Sequence, residues 1–144
     1  IDGRDTFLPE SLRKALKVLQ AEEKPFFLLV EGAQIDNGGH ANDIAAIISE
    51  GLDFDQTVGE ALQFADDKEN TLVIITADHE TGGLGIAGGN GEGRVRADFL
   101  SVDHSGIPVP LFAYGPQATA FTGIFDNTEI FNKILVALGI KKNR

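Results

Sequence analysis

Cysteine is absent, so neither a disulfide nor a thiolate metal site can form, and redox chemistry says nothing about compartment. Methionine is absent too; the chain does not start at an initiator residue, and Ile1 is expected to be a processed or cut end. No apolar run approaches the roughly 18 residues a spanning helix needs, which argues against a membrane partner. No signal peptide is visible. Basic residues are scarce: 12 against 22 acids gives a net charge of -10 and makes nucleic acid a poor partner. A phosphate-bearing substrate would also be repelled, unless bound metal ions reverse the field locally. What remains is a chain of 144 residues, 42% apolar and 24% charged, a composition that reads as one soluble, globular domain.

The elements follow from periodicity. Residues 10–23 place Leu12, Ala15, Leu16 and Leu19 at helical spacing, and Pro25 stops that helix. FFLLV, residues 26–30, is a continuous apolar run of the kind expected of a strand buried on both faces. A second helical pattern runs from Ile44 through Ile47, Ile48, Leu52, Val58 and Leu62 to Ala65, broken or bent near Gly51. TLVIIT, residues 71–76, reads as another buried strand, dense in β-branched residues. Seven glycines between 82 and 93 predict a flexible loop or tight turns, after which GRVRADFL is read as a strand. VPLFAYG, residues 109–115, reads as a third core strand. DNTEIFNKILVALG closes the series as a helix with an acid at its start, Glu129 three residues on and Gly139 at its stop. Strands alternating with helices predict an α/β layered fold, a mainly parallel sheet flanked by helices. No internal repeat or linker divides it.

In such sheets ligands bind beyond the carboxyl ends of strands. Glu31 follows FFLLV directly, and Asp78 and His79 follow TLVIIT. The chain has three histidines, each with a nearby carboxylate: Asp36 before His40, Asp78 and Glu80 around His79, Asp103 before His104. Neutral imidazole with carboxylate suits zinc and related divalent ions, and a catalytic zinc takes three protein ligands with one position open. Asp36 and His40 share one side of a helical turn by spacing. Gly38 and Gly39 make a regular helix there doubtful, yet let the backbone turn closely around an ion.

Each residue also has a plainer role. Asp36 or Asp43 could cap the following helix, and for Asp43 capping is the better reading. Glu31 alone reads as a surface residue at a strand end, His79 as a surface histidine between acids, and His104 as an exposed loop residue. Asp36 with His40 alone is balanced between a solvated turn and a ligand pair. Together the three clusters are explained by one di-metal hydrolytic centre, with ions roughly 3.5–4 Å apart.

VEGAQIDNGGHAND, TADHETGG and DHSGIPVPLFAYGP, in that order, resemble the carboxyl-terminal portion of bacterial-type alkaline phosphatases, over about Pro25 to Gly139. The resemblance implies an alkaline-phosphatase-like but incomplete fold, residues 1–144 forming the carboxyl-terminal part of a larger protein. It implies that Asp36, His40 and His104 ligate a first Zn2+, Asp78 and His79 a second, and Glu31 a Mg2+. Two departures stand out. Ser105 follows His104 where the family more often has threonine, and Asn37 occupies a position often held by a bulkier residue.

The nucleophilic serine of the family, the aspartate bridging the second zinc and magnesium, and the phosphate-gripping arginine belong to a motif region this chain lacks. None of Ser11, Ser49, Ser101 and Ser105 matches it. The first zinc site is therefore expected to be complete here, and the second zinc and magnesium sites partial. In the family, phosphate monoesters are hydrolysed through a phosphoserine. The intact parent is expected to be such an enzyme, a periplasmic or secreted homodimer, with this chain inactive alone. A fragment of that kind is also expected to expose an unpaired sheet edge. Two alternatives stay open. One is another metalloenzyme of the superfamily, a cofactor-independent phosphoglycerate mutase or a phosphodiesterase; the other is a non-catalytic metal-binding domain.

Overall fold

A computed structural model describes residues 6–89 and 91–140. Its helices are α1 (Phe7–Ala21), α2 (Gln34–His40), α3 (Ile44–Asp67) and α4 (Thr128–Ala137). Its strands are β1 (Val73–Thr76), β2 (Glu80–Thr81), β3 (Gly85–Gly89), β4 (Val95–Asp98), β5 (His104–Ser105) and β6 (Leu111–Tyr114). A 3-10 turn, Ala118–Phe121, precedes α4.

The α1 stripe read from the sequence is the one that packs. Pro9, Leu12 and Leu16 are buried on the side facing α3, which contributes Ala65 and Thr57 to the buried set. Each leucine removed from water contributes roughly 1.5–3 kcal/mol, so this helix pair is the main apolar anchor of the first half. Thr57, in mid-helix, satisfies its buried hydroxyl by donating to the Asp53 carbonyl at 2.9 Å. Gly51 neither breaks nor bends α3 enough to divide it; helix hydrogen bonding is cooperative, and 24 residues run through it.

Asp43 caps α3. Its backbone is extended, and its Oδ1 accepts the N–H groups of Ala45 at 3.0 Å and Ala46 at 3.1 Å. At the other end of the chain the N-cap of α4 is Asn127, which makes no side-chain cap bond; the acid expected at the helix start, Asp126, lies one residue earlier, and its Oδ1 accepts both the N–H and the hydroxyl of Thr128. Gly139, at φ 68°, ends that helix in the left-handed region glycine tolerates.

The α/β composition is as expected, but the pairing differs from the expected parallel sheet. Among the described residues three two-stranded ladders form, β1 with β6, β2 with β5, and β3 with β4, and all are antiparallel. Residues 26–30 would supply the parallel neighbour of β1, yet they have no ladder partner among the described residues. They alternate instead, with Phe26, Leu28 and Val30 half-buried while Phe27 and Leu29 are 59% and 77% exposed. A strand exists only where a neighbour accepts its backbone groups, so an apolar run alone did not suffice.

The glycine-rich stretch is also more ordered than expected. Residues 85–89 form β3, paired with β4 through an irregularity between Ile86 and Gly88, and β4 is the strand read in GRVRADFL. This hairpin is almost wholly exposed.

Removing the α3 cap tests this account. Asp43→Ala should lower stability by about 1 kcal/mol, as loss of an N-cap typically does, measured by urea unfolding.

Candidate metal centre

α2 is a regular helix through His40 despite its two glycines, which corrects the doubt raised by the sequence. The glycines serve close approach. A Cβ on Gly38 would lie 2.9 Å from Ile47 of α3, and one on Gly39 would lie 2.9 Å from the side chain of Thr81 in β2. Glycine thus seats α2 against both neighbours at once. On its exposed side the i,i+4 spacing brings His40 Nε2 to 3.4 Å from Asp36 Oδ2.

The other donors arrive from the segment after β1 and from the β2–β5 ladder. Asp78 and His79 lie past Thr76, where the strand has ended; the Asp78 carboxylate accepts the His79 N–H and lies 3.3 Å from His79 Nε2. The ladder pairs Thr81 with His104 and Glu80 with Ser105. That register carries His104 Nε2 to 3.1 Å from His40 Nε2 and 3.6 Å from Asp36 Oδ1. His79 and His104 stack with centroids 3.6 Å apart, and His79 Nδ1 lies 4.0 Å from Asp36 Oδ1. Asp36 is the carboxylate all three imidazoles share.

The donor chemistry fits a divalent cation. His40 Nδ1 donates to the Val102 carbonyl at 2.6 Å, which leaves Nε2 as the lone-pair nitrogen. That lone pair faces His104 Nε2, a contact that needs a proton or a cation between them. Ligand atoms at about 2.0–2.1 Å from a tetrahedral zinc stand about 3.3–3.4 Å from one another. The separations of 3.1, 3.4 and 3.6 Å lie close to that spacing, His40 facing Oδ2 of Asp36 and His104 facing Oδ1. Asp36, His79 and His104 also offer atoms that all lie within 4.8 Å of one another, His79 and His104 both facing Oδ1 of Asp36.

Asp36 is held below the usual aspartate range, first by the Thr81 hydroxyl, which donates to Oδ1 at 2.5 Å, and then by the three histidines; partial burial opposes them. An ionised Asp36 is the form a cation needs. The cluster stays open to water on one side, with His104 50% and Asp78 88% exposed.

Five of the six residues read from the sequence thus come together. Glu31 does not: it is exposed, follows the unpaired 26–30 segment, and makes no hydrogen bond or ion pair among the described residues. Thr81 and the Val102 carbonyl were missed, because a hydroxyl reaching an acid 45 residues away leaves no spacing signal. Glu80 also has a clear role. Its carboxylate accepts the N–H groups of Gly83 and Leu84 and the Ser105 hydroxyl, bracing the turn that carries the ladder. A separate concavity of about 430 Å³ between α1 and α3 has no such convergence of donors, and its Arg13 is engaged by Glu60 at 2.6 Å.

Both the sequence and the fold of the chain have known relatives. The family model for alkaline phosphatase matches residues 2–97. The chain is 37% identical to alkaline phosphatase of Escherichia coli strain K12, over 93% of its own length and 32% of that protein's. It is 36% identical to streptomycin-6-phosphate phosphatase of Streptomyces griseus, over 93% and 35%. Among solved structures, alkaline phosphatase from the Antarctic bacterium TAB5 superposes with a TM-score of 0.91 at 42% identity, covering 97% of this chain and 43% of that one. A variant of the TAB5 enzyme was solved with Mg bound in its M3 site and superposes equally closely, with a TM-score of 0.90. The chain therefore spans about a third of the length of these curated relatives.

Glu80 carries a pH dependence of known sign. Its carboxyl is held low, chiefly by the Ser105 hydroxyl and then by the Leu84 and Gly83 N–H groups. Its contribution to stability is therefore complete above the ordinary glutamate value and is lost as pH falls through the lowered one. Thermal melts of the metal-free chain from about pH 6 down to pH 3 should show a steeper acid loss for wild type than for Glu80→Gln.

Proposed function

The chain belongs to the alkaline phosphatase family, and from that premise we propose that it is the carboxyl-terminal part of a metal-dependent phosphomonoesterase. The observation that carries this reading is the convergence of the His40 and His104 Nε2 atoms, 3.1 Å apart, on the two oxygens of the Asp36 carboxylate at 3.4 and 3.6 Å. In the proposal these three hold a first Zn2+, and Asp78 with His79 supply part of a second. Glu31 supplies part of a Mg2+ site that other segments of the parent complete.

Bound ions of this kind polarise a phosphoryl oxygen and lower the pKa of bound water. The chain's own groups orient and charge-balance. His40 is fixed by the Val102 carbonyl so that its free nitrogen points at Asp36. Asp36 stays ionised between Thr81 and the imidazoles. His79 is held between Asp78 and Thr81. With an overall charge of -10, the protein attracts a phosphate ester only where cations concentrate, and this cluster is the place for them.

No serine makes a hydrogen bond to the cluster among the described residues. The Ser105 hydroxyl is given to Glu80, and Ser101 Oγ accepts the Asp103 N–H. The nucleophile in this reading is a serine elsewhere in the parent, and residues 1–144 alone bind metal without turning over substrate, since members of a catalytic set act as a unit. The parent in this reading is a periplasmic or secreted homodimer acting on phosphate monoesters. The streptomycin-6-phosphate phosphatase relative is named for such an ester. No helix among the described residues is long and apolar enough to cross a membrane.

The test pairs elemental analysis with hydrolysis of 4-nitrophenyl phosphate on one purified sample. Stoichiometric zinc without turnover is expected, with His40→Ala losing zinc by ~10-fold or more in affinity. Unchanged zinc in His40→Ala would sink the ligand assignment, and turnover by wild type would place a nucleophile within this chain.

A further inference from the structure

The metal reading uses Thr81 only as a partner of Asp36 and His79 and leaves open what one hydroxyl shared by the two does to their proton positions. Its hydroxyl lies 2.5 Å from Asp36 Oδ1 and 3.2 Å from His79 Nδ1. Its backbone pairs with that of His104 in the β2–β5 ladder, and its side chain fills the space that Gly39 leaves in α2. One half-buried threonine thus meets the three segments that supply the donors.

A hydroxyl has a single proton to give. An Asp36 carboxylate can only accept, so the Thr81 proton goes to Asp36. The Thr81 oxygen then has only lone pairs to offer His79 Nδ1, which must donate. A neutral His79 is thereby held with its proton on Nδ1 and its lone pair on Nε2, the nitrogen that lies 3.3 Å from Asp78 Oδ2. Two acceptors facing each other at that distance are what a cation would bridge. We propose that Thr81 is a positioning residue: through one hydroxyl it links the Asp36 group to the Asp78–His79 group and selects Nε2 as the metal-facing nitrogen of His79. This rests on the metal-site reading above for its function, but not for its geometry.

The bond also couples the two groups. The carboxylate that aligns with His40 and His104 is anchored by the same oxygen that orients His79, so disturbance at one is felt at the other. A hydrophobic isostere separates this role from packing. Thr81→Val keeps the γ-methyl against Gly39 and replaces the hydroxyl with a methyl; Thr81→Ser keeps the hydroxyl and removes the methyl.

Long-range 1H–15N correlation of the 15N-histidine-labelled, metal-free chain, at a pH above the histidine range, reads the tautomer directly. Wild type and Thr81→Ser are expected to show His79 protonated on Nδ1, and Thr81→Val to lose that preference. Zinc affinity, measured by competition with a chromophoric chelator, should fall ~10–100-fold in Thr81→Val and stay close to wild type in Thr81→Ser. His79 protonated on Nε2 in wild type overturns the proposal without any variant, so it stays testable even should Thr81→Val not fold. A valine variant with unchanged tautomer and unchanged zinc affinity overturns it too. If the chain binds no zinc while the tautomer follows the hydroxyl, the positioning role stands and the metal reading of the site fails instead.

Discussion

The Asp36 carboxylate is the group around which the second half of the structure is arranged. Three imidazoles from three different segments approach it to within 3.4, 3.6 and 4.0 Å, and the Thr81 hydroxyl fixes one of its oxygens. Concentrating three rings that can each become cationic is electrostatically costly unless a negative charge sits among them. The backbone around Asp36 is shaped to allow this. Gly38 and Gly39 remove the side chains that would hold α2 away from α3 and β2, and Asp43 starts α3 immediately after the turn. Without that close seat, the β2–β5 ladder could not bring His104 across to His40.

The ladder in turn depends on local bracing rather than on length. It has two residue pairs, too few to persist alone, and Glu80 compensates by binding the turn after β2 and the Ser105 hydroxyl on β5. The β1–β6 pair supplies the longer support, with Val73 to Thr76 set against Tyr114 to Leu111. Tyr114 reaches back to Asp66 at the end of α3 at 2.6 Å, tying that ladder to the helix that α2 packs on. The site is thus held from two sides by short contacts, with little buried apolar mass directly beneath it.

That thinness shows in the apolar surface. Phe27, Leu29, Phe112 and Ile124 are 59%, 77%, 60% and 101% exposed, and residues 26–30 have no ladder partner among the described residues. Exposed apolar residues in and beside a segment of strand-like sequence invite further pairing. The TAB5 enzyme superposes on nearly all of this chain yet is more than twice its length. Its additional chain is the kind of material that can cover such a surface in a relative.

Helices α1, α3 and α4 were legible because their information is local: the α1 stripe, the Asp43 cap, and the acid and Gly139 near the ends of α4 all act within a few residues of themselves, whereas α2, with two glycines, was not. The metal-ligand candidates were legible for a similar reason, since Asp36 with His40 and Asp78 with His79 are neighbours along the chain. Strand pairing was not, because a ladder is a property of two segments, and an apolar run such as FFLLV carries no record of whether its partner is beside it. Nor could the sequence assign Thr81, whose hydroxyl acts on an acid 45 positions away. The sequence by itself determined which side chains could bind a cation and which segments could be helical. Only the tertiary structure decided that three histidines meet at one carboxylate, because that meeting depends on two glycines letting a helix approach a strand closely and on the register of a two-residue ladder.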